Sequence, residues 1–332
     1  MKKILYMLLV CGLLAACASD DMETSLTDRI SSVEISTVGG YENSATGSTY
    51  TFEYNPGGRI ERVNDKKFYY DTKGRVEFSR IERKVKDEHR SEEYIERLSY
   101  HWDAQGRLKE VWVDSLYQRY IYFSERGVVG SDEGGMVADI VLATYNYEGT
   151  NRKPASIRYR KISKTPSSSM FYIGEEEEVK YSYDGANVVA SQLMSYLHLP
   201  LPATGDLSYI PHPFKKNSSY TYLTNPNHLA KIYTQLGFHP YNLHEVVSAN
   251  CVATSKIEID SEGLEDITDR WTPPKRGDIH WTDLDTGGDI AIMAPLFDGK
   301  ITYSYHFNIL ELPTEIVGEG NGIMQRTVIT YE

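Results

Sequence analysis

Apolar and polar residues alternate along several short segments in the first 190 residues of the chain. The alternation is clear at residues 51–54, 107–113, 117–123 and 180–183, which are rich in aromatic and β-branched residues. A period of two places successive side chains on opposite faces of a strand. The pattern therefore predicts antiparallel β-strands that bury one face and leave the other in water.

A repeated turn pattern follows or precedes these segments. Three segments share one order of residue types: an aromatic residue, Asp or Asn, two variable positions, Gly, Arg and an aliphatic residue. These segments are residues 54–60, 70–76 and 102–108. The Asp or Asn side chain accepts backbone N–H groups ahead of it, and the glycine takes the left-handed conformation that closes a type I turn with a bulge. A turn without the glycine fits residues 87–90. Looser copies occur at residues 183–185, 259–264 and 297–301.

The second half of the chain is less regular. Prolines at positions 200, 202, 211, 213 and 226 predict loops or edge segments within residues 191–250. Residues 227–236 fit one short helix capped by Asn225 or Asn227, and strands resume near residue 254. The predicted fold class is all-β: a large antiparallel meander in a strongly curved or barrel-like sheet, with few short helices.

The N-terminus carries an export signal. Lys2 and Lys3 precede thirteen uncharged residues, 4–16, which are too few to span a bilayer as a helix. The segment ends in Leu-Ala-Ala-Cys at residues 14–17, which resembles the bacterial lipobox. We expect residues 1–16 to be a signal peptide and Cys17 to receive the lipid that anchors the chain to a membrane. An ordinary cleavage site with an incidental cysteine is the alternative.

The residues behind Cys17 predict where the anchored chain is displayed. Ser19, Asp20 and Asp21 resemble the acidic export signal of Bacteroides-type surface lipoproteins. Residues 17–30 are rich in Ser, Thr and Asp and fit a flexible tether. We expect an outer-membrane lipoprotein on the cell surface, with the periplasmic leaflet as the alternative. Residues 31–332 then form a single elaborated β-domain, with a possible sub-boundary near residue 190.

Charge and cysteine content exclude some classes of function. The chain has 35 basic and 47 acidic residues; loss of Lys2 and Lys3 leaves 33 against 47, a net charge of −14. Such an acidic protein has little attraction for nucleic-acid phosphates. Cys11 leaves with the signal and Cys17 is lipidated, so Cys251 is the remaining thiol and no intramolecular disulfide is expected. A buried, inert thiol is the favoured interpretation of Cys251.

Aromatic content offers one binding hypothesis. The chain has 26 Tyr and 9 Phe, and Tyr suits strands with one wet face. Such rings could stack sugars, although cross-strand packing is the favoured interpretation. Trp271 and Trp281 lie in Pro- and Gly-rich segments and are candidate stacking residues.

Motifs of catalysis or metal binding are mostly missing. No G-x-S-x-G, P-loop, C-x-x-C or complete dinucleotide motif occurs, so no cofactor is predicted. Asp283, Asp285 and Asp289 surround glycines as in calcium loops, but position 294 is Ala where a closing Glu would stand. A solvated acidic turn is favoured there, with no metal. We expect no enzyme activity, while a hydrolase with an unrecognised carboxylate pair stays open.

Two features resemble known families. The turns at 54–60, 70–76 and 102–108 resemble the YD repeats of Rhs proteins. Together with the lipobox, they resemble Bacteroides-type lipoproteins of unknown function with a porin-like β-sheet fold. The resemblance covers the signal and about residues 50–125. It implies a curved or closed antiparallel sheet and a cell-envelope role, and it brings no catalytic residues.

Three functions remain from the sequence. The first is a lipid-anchored binding module for glycan or another macromolecule. The second is a structural or assembly partner of an outer-membrane complex, and the third is a hydrolase. An integral barrel is disfavoured, because strands at residues 107–113 and 157–161 carry charges on faces that lipid would cover.

Overall fold

The protein is nearly all β in a computed structural model. It describes residues 28–39, 46–124, 127–136, 140–164, 171–200, 207–209, 214–236, 248–260, 299–320 and 323–332. The strands up to residue 146 are β1 (Ile30–Gly39), β2 (Thr46–Tyr54), β3 (Ile60–Val63), β4 (Lys66–Tyr70), β5 (Val76–Lys86), β6 (Arg90–Trp102), β7 (Leu108–Ser124), β8 (Gly127–Met136) and β9 (Ile140–Asn146). The later elements are β10 (Ser156–Lys164), β11 (Phe171–Asp184), β12 (Asn187–Pro200), β13 (Leu207–Tyr209), β14 (Phe214–Pro226), the helix α1 (Ala230–Leu236), β15 (Asn250–Asp260), β16 (Gly299–Phe307), β17 (Pro313–Gly320) and β18 (Ile323–Tyr331).

Antiparallel pairing closes these strands into a ring. Each strand pairs with the next from β1 to β7, then β7 pairs with β9, β12 with β14, and the order continues to β18. Strand β18 pairs with β1 from Ile30↔Tyr331 to Gly39↔Ile323, which completes a barrel of sixteen described strands. Strand β8 and the three-residue β13 pair with β7 and β12, respectively, and are not counted in that ring. The predicted all-β, barrel-like sheet is confirmed, and it is closed.

The predicted turns adopt the expected geometry. In the second turn, Gly74 has φ +78° and donates to the Asp71 carbonyl at 2.9 Å. The Asp71 carboxylate accepts the backbone N–H groups of Lys73 and Arg75, both at 2.9 Å, and it also binds the Arg75 guanidinium. The turn at 103–107 repeats these contacts, with Gly106 at φ +75°. These bonds hold each pair of strands in one register.

The proline-rich segment is β-strand over part of its length. Residues 197–200 and 224–226 belong to β12 and β14 rather than to loops. Pro200 occupies the last pair of β12 with β13, and Pro226 the last pair of β14 with β15. A proline lacks only its own N–H, so at the final position it ends a ladder without interrupting it. Strand β12 runs through residue 190.

The barrel is apolar inside and polar outside. Along β1, the buried Val33 and Ile35 flank the exposed Glu34. Along β5, the buried Ile81 lies between the exposed Arg80 and Glu82. The inward aliphatic and aromatic side chains pack into one large cluster. Burial of this face supplies the main driving force for folding.

Helix α1 packs its apolar residues against the same core. Leu229, Ile232 and Leu236 are buried there, and Gln235 Oε1 accepts the Ile60 N–H at 3.2 Å. Asn227 Oδ1 accepts the N–H of Leu229 at 3.1 Å, so the predicted Asn227 cap is present just before the helix. No helix in the described part of the chain has the length and apolarity needed to cross a bilayer.

A ring of aromatic side chains lies at one end of the barrel, which we call the aromatic rim. In each case, an aromatic residue within the last few residues of a strand, or just beyond its end, donates to a backbone carbonyl near the start of the strand paired with it. The donor and acceptor pairs are Tyr54–Ile30, Tyr70–Ile60, Trp102–Val76, Tyr147–Leu108, Tyr183–Pro154, Tyr222–Val188, Tyr305–Val252 and Tyr331–Pro313. Each bridge ties together the open end of one hairpin.

Cations cover several rings of the aromatic rim. Arg107, from the turn before β7, lies 4.4 Å from the ring centroid of Tyr147. Arg75 lies in the same way 5.5 Å from Trp102, and Arg59 5.6 Å from Tyr70. The arginine of the repeated turn stacks on the aromatic ring that donates to the next residue's carbonyl. The residue that follows the arginine in sequence is the aliphatic residue with that carbonyl. Burial raises the pKa of Tyr70 to about 12.

Tyr147→Phe should weaken the rim at one position. The variant removes the hydroxyl that donates to the Leu108 carbonyl at 2.8 Å and leaves that acceptor without its partner. We expect a loss of about 1–2 kcal/mol in the free energy of unfolding, measured by urea titration. Tyr69→Phe, on the outer face, should change it by less than about 0.5 kcal/mol. Equal effects in the two variants would contradict a role for the rim bond.

The rim also predicts a fall in stability at alkaline pH. Burial raises the pKa of Tyr54 and Tyr70 to about 12 in the folded chain, whereas tyrosines of the unfolded chain titrate near 10. Their contribution is therefore complete below about pH 10 and is lost as the pH rises through 10 towards 12. We expect the urea concentration at the unfolding midpoint to fall between about pH 9 and about pH 11.5. The fall should follow the rise of tyrosinate absorbance at about 295 nm. A flat midpoint over that range would contradict this assignment.

Candidate functional site

The site residues predicted from sequence fall outside the described part of the chain. This applies to the lipidation and export residues Cys17, Ser19, Asp20 and Asp21, to the calcium candidates Asp283, Asp285 and Asp289, and to Trp271 and Trp281. Those assignments stay predictions. The site described below comes from the structure.

A tryptophan faces outward on β7. Trp112 lies between Val111 and Val113, which are both buried in the barrel, so strand alternation turns the indole to the outer face. Across the sheet, Trp112 is opposite Ser99 on β6, and Ser99 is opposite Phe78 on β5. Phe78 is opposite Tyr69 on β4. These four residues form one row across four strands.

Hydrogen-bonding side chains surround the indole. Trp112 Nε1 donates to Glu110 Oε2 at 3.1 Å, and the His101 ring meets the indole edge-on at 5.5 Å. Ser99 Oγ donates to Asp114 Oδ1 at 2.7 Å and lies 3.2 Å from His101 Nε2. We call Ser99, His101, Glu110, Trp112 and Asp114 the Trp112 patch.

A stack of rings borders the patch on β4 and β5. Tyr69 and Phe78 stack with centroids 4.3 Å apart and planes at 13°. The Arg97 guanidinium lies 4.5 Å from the Phe78 centroid, and its Nε donates to Asp114 Oδ2 at 3.2 Å. Asp114 thus joins the stack to the patch. These contacts hold the neighbouring side chains in place and reduce the ordering cost of binding.

The patch combines one flat aromatic ring with hydrogen-bond donors and acceptors, and the Arg97 guanidinium lies beside it. Trp112 is partly exposed, while His101 and Arg97 are exposed to solvent. An indole with polar neighbours can pack against the C–H face of a sugar while the polar groups bind its hydroxyls. Trp112 and the ring stack at Phe78 are two strand spacings apart, about 10 Å, a span that two successive residues of an extended glycan can bridge.

A second outward feature is polar throughout. A shallow cavity of about 480 Å³ lies over β11, β12, β14 and β15, and its lining includes Lys180, Gln192, Asn217 and Lys256. None of its lining residues is aromatic, so it offers hydrogen bonds without a stacking surface. The Trp112 patch is therefore the better candidate for a flat ligand.

The Cys251 thiol lies in the interior, in agreement with the sequence interpretation. Cys251 is buried and its Sγ donates to the Pro226 carbonyl at 3.3 Å. Burial raises the pKa of this thiol to about 11, so little thiolate is present at neutral pH. Within the described residues, no group of three His, Cys, Asp or Glu side chains is placed to hold a metal ion.

Sequence reasoning missed the Trp112 patch although the signal was present. The segment 107–113 alternates, and a tryptophan between two valines must face the opposite side from both. The sequence did not determine which face of the sheet is buried inside the barrel. The ring stack of Tyr69, Phe78 and Arg97 depends on three different strands and has no local signal.

Comparison with known proteins shows distant structural likeness only. No family model matches the chain, and no curated protein matches it. A porin-like protein from Bacteroides vulgatus is 12% identical with a TM-score of 0.36, and the alignment covers 92% of this chain and 98% of that one. For a porin-like protein from Bacteroides uniformis, the values are 10%, 0.32, 92% and 99%.

A component of the Photorhabdus luminescens Tc holotoxin pore is also similar. It is 13% identical with a TM-score of 0.18, and the alignment covers 85% of this chain but 14% of that chain. All these TM-scores lie below 0.5. The fold assignment therefore rests on the strand pairing of this chain, and none of these proteins lends it an activity.

Proposed function

We propose that the mature chain is a lipid-anchored protein of the cell envelope that binds glycan through the Trp112 patch. The observation that carries this proposal is a partly exposed indole on a rigid strand, ringed by Ser99, His101, Glu110 and Asp114. The sequence supports the anchor through the lipobox that ends at Cys17. The acidic residues Asp20 and Asp21 favour display on the cell surface.

The polarity of the barrel supports a protein anchored to the membrane rather than embedded in it. The outer face of β5 presents Arg80, Glu82 and Lys84 to solvent. Charged side chains on a lipid face would destabilise a membrane barrel by several kcal/mol (about 2–4 each for Lys or Arg at mid-bilayer). The net charge of −14 for the mature chain directs the search to neutral or weakly charged polysaccharides rather than to polyanions.

A second candidate is docking of an envelope protein on the same patch. Tryptophan and arginine are common anchors of protein interfaces, and Arg97 lies beside the Trp112 patch. Glycan is favoured because the groups around the indole are mostly polar and already hydrogen-bonded to one another. Capture of a defined outer-membrane barrel through Trp112, without polysaccharide binding, would favour docking.

Trp112→Ala should weaken binding to a soluble polysaccharide. A panel of neutral polysaccharides is screened by saturable thermal stabilisation of the wild-type chain, and affinity for the best one is then measured by calorimetry. We expect a loss of about tenfold or more, or about 1.4 kcal/mol. Trp112→Phe should retain part of the affinity, and Tyr117→Ala, on the same strand, should bind like wild type. Wild-type affinity in Trp112→Ala would refute the assignment, and turnover of the polysaccharide would indicate a hydrolase.

Cys17→Ala should release the protein from membranes. The thiol is the predicted acceptor of the lipid, and without acyl chains the acidic chain has no other expected anchor. Membranes are washed in high salt, and the variant should appear in the soluble fraction. Protease added to intact cells should digest the wild-type protein if it is displayed on the surface. Protection until lysis would assign the protein to the periplasmic leaflet instead.

A further inference from the structure

An apolar turn projects from one end of the barrel, between β16 and β17. Ile309 and Leu310 occupy its two central positions, where they are 99% and 46% exposed. The corresponding positions of the turn between β4 and β5 hold Thr72 and Lys73, which suit water. Turns favour Gly, Pro, Asn, Asp and Ser, so two consecutive aliphatic residues depart from that preference. We call Ile309 and Leu310 the apolar tip.

The turn fixes the backbone of the apolar tip and keeps both side chains in water. Asn308 Oδ1 accepts the N–H groups of Leu310 at 2.9 Å and Leu312 at 3.0 Å. The Glu311 N–H donates to the Asn308 carbonyl at 3.0 Å. Glu311 takes φ +59°, a conformation that glycine supplies at Gly74 in the turn before β5. A local preference that is broken without a gain in core packing is typical of a functional position.

The apolar tip and the start of the folded chain lie at the same end of the barrel. The Tyr331 hydroxyl donates to the Pro313 carbonyl at 2.9 Å, close behind the tip. Tyr331 is also opposite Ile30, the first residue of β1. The Glu332 N–H donates to the Arg29 carbonyl at 2.9 Å. Because β17, β18 and β1 are neighbours, the hairpin with the tip is about two strand spacings, roughly 10 Å, from β1.

The predicted tether joins the barrel at that end. Cys17 is eleven positions before Asp28, the first residue that the structure describes. An extended chain of that length reaches at most about 40 Å. Gly39, the other end of β1, is about 30 Å further along the strand. If Cys17 carries the lipid, as proposed above, the end with the apolar tip is the one held closest to the bilayer.

Two aliphatic side chains on a projecting turn suit the interface of a bilayer. Apolar side chains gain free energy when they leave water, and interfacial segments enter about 5–10 Å into the boundary between headgroups and acyl chains. A turn can reach that depth while the charged outer face of the barrel stays in water. The contact is small, so it orients the barrel without anchoring it, and Cys17→Ala should still be released.

We propose that the apolar tip inserts into the lipid surface to which the chain is tethered. The barrel then stands with its aromatic rim towards the membrane. Its outer face, which carries Trp112, faces sideways and stays in water. This inference rests on the proposed lipid anchor for its choice of partner, and on the exposure of Ile309 and Leu310 for the contact itself.

The test places a fluorescent label on the apolar tip of the lipidated, full-length mature protein. In Ile309→Cys the new thiol reacts selectively, because Cys17 carries the lipid and Cys251 is buried. The thiol is labelled with the environment-sensitive dye NBD, and the protein is reconstituted in vesicles of phosphatidylethanolamine and phosphatidylglycerol. Val38→Cys is the matched control, because Val38 is an exposed aliphatic residue near the opposite end of β1.

The dye at position 309 should report a lipid environment. We expect its emission to shift to shorter wavelength on vesicles, and a nitroxide carried by the lipid should quench it more strongly than the dye at position 38. Both effects should persist in high salt, because the insertion is apolar. Leu310→Ser in the labelled chain should reduce the quenching. It should leave the urea midpoint of the vesicle-free protein unchanged, because this side chain lies at the surface.

A second anchor separates this inference from the proposed lipidation. In the mature chain, Cys17 is replaced by a hexahistidine tag that binds a nickel-chelating lipid in the same vesicles. Quenching at position 309 with this anchor, in a protein that cells do not acylate, would refute the lipid anchor and support the apolar tip as a membrane contact. Equal quenching at positions 309 and 38 with both anchors would overturn the inference and leave lipidation standing. A blue shift without vesicles would also overturn it, because it would indicate contact between copies of the chain.

Discussion

The bond between a strand-end aromatic residue and a carbonyl near the start of the paired strand is the interaction on which the barrel depends. Antiparallel ladders weaken at their open ends, where the backbone groups lose their partners. In this chain, a half-buried ring such as Tyr147 covers that end, and its hydroxyl donates to one backbone carbonyl there. The repeat of this bridge around the ring explains the high tyrosine content better than ligand stacking does.

The same constraint explains the arginine of the repeated turn. Arg107 binds Asp103 in its own turn, which keeps the guanidinium fixed, and its planar face lies on Tyr147. The next residue, Leu108, supplies both the carbonyl acceptor and a buried side chain. The turn, the cation, the ring and the core are therefore coupled through Asp103, Arg107 and Leu108 of one turn and a distant aromatic residue. Local sequence and tertiary packing favour the same structure, as foldable sequences require.

The polarity of the two faces decides where ligands can bind. Burying a charge inside the barrel is costly because the charge loses its contact with water. The charged side chains found there are paired, as Lys66 is with Glu96. The wet outer face carries most of the ionic side chains and one partly exposed indole, Trp112. A ligand that stays outside the barrel meets the outer face, where Trp112 lies.

Much of the fold could be predicted from the sequence, and little of the site. A period of two specifies strands, and Asp with Gly three residues later specifies turns such as 71–74, because both depend on neighbours along the chain. The prolines predicted loops or edge segments, and the structure places Pro200 at the end of a strand, where a missing N–H interrupts no ladder. The alternation of residues 111–113 shows that Trp112 faces the opposite side of the sheet from Val111 and Val113. It does not show which of the two sides is exposed to solvent.

The sequence by itself determined strands, hairpin turns and a short helix, because hydrogen bonds and side-chain alternation act over a few residues. Only the tertiary structure decided that β18 pairs with β1, 284 to 301 positions away in the sequence, and so which face of the sheet is buried. It also brought Tyr69, Phe78 and Arg97 together from three strands. Such long-range contacts depend on closing the whole sheet, and no local pattern encodes the partner of a distant strand.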